Sequence, residues 1–85
     1  MKTIKLSDII ITKAFLDSRP SEAKVMHYKE QYEKTHKQTK YIVLDKNNVL
    51  VDGYIQYLIL RANGVDEAQY IRKGTKLDSY RNKMT

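Results

Sequence analysis

Twenty consecutive residues, "YIVLDKNNVLVDGYIQYLIL" (41–60), constrain the fold more than anything else in the chain. Tyr41 to Leu44 and Val49 to Val51 alternate or run apolar as strands do, and the "KNN" between them suits the positive φ values that a tight hairpin turn demands. Immediately after the second strand, Asp52-Gly53 marks a corner, and Ile55, Leu58, Ile59 and Ala62 recur at helical spacing until "ANG", where Gly64 provides a left-handed stop. A hairpin feeding straight into an amphipathic helix excludes an all-helical bundle and a pure sandwich, and Asp52 is expected to act as the helix N-cap.

Flanking segments extend the pattern. "TIKLSDIIIT" carries a β-prone run at Ile4 to Leu6, then a turn or second short strand over Ile9 to Thr12. "FLDSRPSEAKV" starts a helix, with Ser18 or Ser21 as cap, Pro20 where a missing N–H is tolerated and Glu22 in the first turn. From Glu22 to about Thr35, Val25, Tyr28 and Tyr32 fall on one face. "HKQTK" is a polar basic connector, and Ala68 to Arg72 reads as a last strand. The predicted fold class is α+β, in the order β-α-β-β-α-β with a mixed sheet. It forms one domain over 1–73, followed by a basic polar tail over 74–85 that packs Leu77, Tyr80 and Met84 as a short helix, orders on a polyanion, or stays solvated without a function.

Composition narrows the chemistry. In a chain of 85 residues only one small core fits, and with no cysteine it must hold without disulfides or thiolate metal sites. Sulfur-based catalysis is excluded with it. His27 and His36 are nine apart, off adjacent helical turns, with no acidic partner at ligand spacing, so no metal site is expected. The longest apolar runs fall far short of the roughly 20 residues of a membrane helix, and no signal-peptide core is present, so the expectation is a cytoplasmic protein without a membrane partner.

Sixteen Lys and Arg against ten Asp and Glu give a net charge of +6, which favours encounter with a polyanion. Lys73, Lys76, Arg81 and Lys83 against Asp78 leave +3 on residues 73–85, half of the total. With Lys37 and Lys40 of the connector, these four cations are the candidate nucleic-acid contacts. Tyr54, Tyr57 and Arg61 lie beside the apolar stripe of the second helix, as core, as base-stacking platforms or as a protein interface.

The arrangement of "RPSEAKV", then "YIVLDKNNVLVDGYIQYLILRANGV", resembles the ParB/sulfiredoxin-like superfamily over roughly residues 2 to 73, as a stand-alone, degenerate ParB-like N-terminal module. In that family a box such as "DGYHRY" or "GERR" starts the helix, and its glycine, arginine and nearby basic residues contact the phosphates of ATP or CTP. The equivalent here is Asp52-Gly53-Tyr54-Ile55-Gln56-Tyr57: the glycine and second tyrosine match, while Ile55 and Gln56 replace the histidine and arginine. The resemblance therefore implies a cofactor-binding set of Arg19, Lys24, Asp52, Gly53, Gln56 and Tyr57, with Arg19 and Lys24 supplying replacement charge. Glutamine donates hydrogen bonds but lacks the bidentate charged fork of a guanidinium. Tyr54 stands where sulfiredoxin has its catalytic cysteine, and no helix-turn-helix region follows the module, so neither chemistry nor DNA reading transfers directly.

The expectation is thus a non-catalytic binding or regulatory protein, without catalytic residues and without an obligatory cofactor, recognising nucleic acid or a nucleic-acid-associated protein. The alternatives are an ATP- or CTP-binding enzyme or switch using Mg²⁺, and a protein-interaction or inhibitor module.

Overall fold

Short apolar, β-branched runs form the ladders, and in the computed structural model, which describes residues 2–73, four short strands result. They are β1 (Thr3–Lys5), β2 (Ile42–Leu44), β3 (Leu50–Asp52) and β4 (Glu67–Arg72), joined in one sheet of order β1-β4-β2-β3. β4 pairs antiparallel with β1, placing Ile4 opposite Ala68, and parallel with β2, placing Val43 opposite Ile71. β2 and β3 form the antiparallel hairpin, with an irregularity between Val43 and Leu44. The mixed sheet and the α+β class follow the sequence pattern.

Three helices accompany it: α1 (Lys13–Leu16), α2 (Glu22–Thr35) and α3 (Tyr54–Ala62). Leu6–Asp8 forms a 3-10 turn, and the stretch Ile9–Thr12, expected as a turn or a second short strand, contributes a single parallel bridge between Ile10 and Val49. α1 has no counterpart in the sequence reading: it is one turn without a side-chain cap, exposed except for the half-buried Phe15. Ser21 is the N-cap of α2, though its hydroxyl makes no capping bond, while Ser18 Oγ instead donates to the Phe15 carbonyl at 2.6 Å and closes α1. Tyr32 is buried and Val25 and Tyr28 half-buried, so the expected face of α2 does turn inward.

Ile42, Leu44, Leu50, Ile59, Leu60 and Ala68 make the centre of the core between the sheet and the helices, with Leu6, Ile9 and Tyr32 at its edge. On α3 the buried residues are Gln56, Ile59 and Leu60, whereas Ile55 and Leu58 are half-buried and Ala62 is exposed. The stripe read from the sequence is therefore turned by about one residue, because Gln56 finds a partner inside. α3 ends in the predicted manner: Gly64 has φ +73°, its N–H donates to Arg61, and the Val65 N–H donates to Leu60, the two bonds of a Schellman motif.

The β2–β3 turn is organised by Asp45, whose Oδ1 accepts the N–H groups of Asn47 at 2.7 Å and Val49 at 3.0 Å. Asn48 takes the left-handed conformation at φ +65°. Arg72, reaching over from β4, donates Nη1 to the Asp45 carbonyl at 2.6 Å and to Asn48 Oδ1 at 2.7 Å. Those two backbone N–H bonds, Val49 first, hold the Asp45 carboxyl below its ordinary value, with Arg72 and Lys46 adding to the effect.

Candidate functional site

The glycine corner is built by close approach. Gly53 sits at the N-cap of α3 with φ +92°, and a Cβ placed there would lie 3.0 Å from Ile42 Cα and 3.2 Å from the Tyr41 carbonyl oxygen. Only glycine meets both demands, so the helix start is pressed against β2. The sequence reading gave the cap to Asp52; in the structure Gly53 holds that position and Asp52 closes β3, its Oδ1 accepting the Gly53 N–H at 2.8 Å. A single residue between β3 and α3 leaves room for one cap, and the positive φ selects glycine for it.

Around this corner opens a cleft of ≈ 280 Å³. Phe15, Ser18, Arg19 and Pro20 close one side, Tyr28 of α2 and Lys40 and Tyr41 before β2 another, and Asp52 to Gln56 the floor. Phe15 packs on Tyr54 with ring centroids 5.2 Å apart and planes tilted by 38°, and Tyr57 stacks behind Tyr54 at 6.1 Å and 13°. Lys40 Nζ stands 4.9 Å over the Tyr28 ring, a cation–π contact that fixes the ammonium on the cleft wall.

Of the residues implied by the resemblance, Arg19, Asp52, Gly53 and Gln56 come together in this lining. Lys24 is exposed on α2 outside it, and Tyr57 faces a second hollow with Lys5, Leu6 and Arg61. Gln56 is only 3 % exposed: Nε2 donates to Thr39 Oγ1 at 2.8 Å, and Oε1 accepts the Thr39 N–H at 3.4 Å. At the family's arginine position the chain thus carries a buried amide that ties the connector to α3.

The nucleic-acid candidates separate. Lys40 is in the cleft, Lys37 lines a broad hollow with Tyr32, His36 and Glu67, and Lys73 lies past the opposite end of β2, its N–H donating to the Leu44 carbonyl. Lys76, Arg81 and Lys83 lie outside the described residues, as does the whole of the tail. Among the described residues no cluster of three or more His, Asp or Glu is placed to hold a metal ion, and no helix is long and apolar enough to cross a membrane. His27 and His36 are both exposed, His27 bonded to Gln31 at 3.1 Å and His36 edge-on to Tyr32.

Sequence reasoning missed Phe15, Tyr28, Lys40, Tyr41 and Tyr54 as members of one cleft. The signal present was compositional, tyrosines on three separate elements, and nothing in a linear pattern says that they converge.

No protein-family profile matches the chain, and neither does any curated protein. Among solved structures the chain is similar to a pNOB8-like ParB N-domain, with a TM-score of 0.72 and 19% identity over 94% of this chain and 32% of that one. A second pNOB8-like ParB N-domain structure gives a TM-score of 0.64 and 22% identity over 94% and 29%. The chain spans about a third of the length of these relatives. At such identities the likeness is one of fold: the described residues adopt a ParB N-domain architecture.

Proposed function

We propose that this protein is a non-catalytic binding module that recognises nucleic acid from a ParB N-domain scaffold. The observation that carries the reading is Gln56, a side chain at the helix start that is turned inward and bonded to Thr39, so that it serves the fold rather than a phosphate. Charge supports the ligand class. The chain carries +6, and within the cleft Arg19 and Lys40 face a single carboxylate, Asp52, which already accepts the Gly53 N–H.

Anisotropy titrations of a labelled oligonucleotide across a salt series test this. Three to four phosphate contacts give a slope of log K against log salt near −3, or roughly a 60-fold loss from 50 to 200 mM. Salt-independent binding, or none at low salt, overturns the reading, and in the latter case a nucleic-acid-associated protein becomes the partner to seek.

A second reading, a nucleoside triphosphate with Mg²⁺, draws on Arg19 lying in one cleft with the Gly53 helix start, whose dipole favours an anion. Amide shifts confined to residues 52–57 on addition of ATP or CTP with Mg²⁺ would support it over the first; an unchanged spectrum would eliminate it.

A further inference from the structure

We propose that the cleft beside Gly53 receives an unstacked base of a single-stranded nucleic acid, with Arg19 and Lys40 meeting the flanking phosphates; this rests on the nucleic-acid reading above and names its site. Four aromatic rings, Phe15, Tyr28, Tyr41 and Tyr54, line the cleft together with Ile55 and Pro20. Such walls offer little to a phosphate and much to a base; with Tyr54 between Phe15 and Tyr57 and Lys40 over Tyr28, the base lies against Tyr41 and Phe15. The volume, ≈ 280 Å³, lies just below the about 300–1,000 Å³ range of drug-sized ligand pockets, in keeping with a small planar occupant.

Both cations border the cleft. Arg19 is exposed on the loop before α2, and Lys40 is held over Tyr28 at 4.9 Å. In a duplex the base faces are stacked on one another and cannot enter, so the geometry selects single strands, loops or ends. Gln56 fits the same account: its amide is satisfied by Thr39, so the charged side chain on the floor of the cleft is Asp52, whose Oδ1 accepts the Gly53 N–H.

The test compares three probes on the whole chain at one salt concentration: a twelve-residue oligothymidine, an abasic strand of the same length, and a duplex of that length. The abasic strand keeps every phosphate and loses only the rings, so stacking predicts affinity at least 10-fold weaker, with the duplex also weaker and tyrosine fluorescence quenched by oligothymidine alone. Lys40→Gln and Arg19→Gln should each weaken oligothymidine binding about 3- to 10-fold, while Lys46→Gln, exposed on the β2–β3 turn outside the cleft, should change it less than 2-fold. Equal affinity for the abasic strand or the duplex overturns the base site and leaves the general nucleic-acid reading standing. So does an equal loss from Lys46→Gln, or thymidine monophosphate binding as tightly as the strand. Failure of all three probes to bind overturns both.

Discussion

Replacing Gly53 with alanine, set against the same change at Gly64, separates two costs that usually arrive together. Both glycines have positive φ, +92° and +73°, a region that costs an L-residue about 1–2 kcal/mol. Alanine returns about 0.4–1 kcal/mol by restricting the unfolded chain. At Gly64 nothing lies within 4 Å of the added Cβ, so the net loss there is about 1 kcal/mol. At Gly53 the added carbon meets Ile42 Cα at 3.0 Å, the Tyr41 oxygen at 3.2 Å and Ile42 Cγ1 at 3.3 Å. The first two are backbone atoms at the start of a fully buried strand, which cannot swing aside as a surface side chain can. Overpacking of this kind costs about 1–3 kcal/mol, bringing Gly53→Ala to about 2–4 kcal/mol against a total stability of roughly 4–13 kcal/mol for a chain of this size. Urea denaturation followed by circular dichroism measures both variants, with the slopes checked for equality. A Gly53→Ala loss no larger than that of Gly64→Ala would refute the claim that close approach to β2 builds the corner.

Two further outcomes follow from named contacts. Gln38 uses its side chain as a peptide group, Nε2 donating to the Gln69 carbonyl and Oε1 accepting the Gln69 N–H, both at 2.8 Å, where β2 has not yet begun. Gln38→Ala orphans both groups and should cost about 2–3 kcal/mol and accelerate hydrogen exchange at the Gln69 amide; unchanged protection there would contradict the account. Because the folded Asp45 carboxyl ionises below its ordinary 3.8, its contribution is complete above that value and is lost as pH falls through the depressed folded value. Wild type should therefore lose more stability than Asp45→Asn between neutral pH and about pH 2.5, and parallel acid limbs would count against the turn's role.

Much of this was legible because local chemistry and tertiary demand agree. Asn48 and Gly64 take the left-handed conformations their residue types favour, and β4 begins within one residue of its expected start. The first strand, read at Ile4 to Leu6, is Thr3–Lys5: the Leu6 N–H still donates to the Asp66 carbonyl in the β1–β4 register, but the Leu6 carbonyl accepts the Ile9 N–H and opens the 3-10 turn. The misreadings have one common cause, partners distant in the chain. Gln56 looked like a surface or ligand residue because glutamine usually is; its burial depends on Thr39, seventeen residues earlier. Lys40 reads as one more cation of a basic connector, and only the tertiary fold puts it over Tyr28 of α2, twelve residues earlier. α1, a single turn, has too few residues to show any period.

The strand order has a temporal meaning as well. β4, last of the four along the chain, is an inner strand, flanked by β1 and β2. Until residues 67–72 leave the ribosome, β1 has no ladder to join and the Thr3–Gln69 pairing must close a loop spanning nearly the whole domain. The β2–β3 hairpin and α3 rest on local contacts, whereas β1 and β2 join one sheet only through β4, so closing the sheet waits on the most distant pairing in the domain.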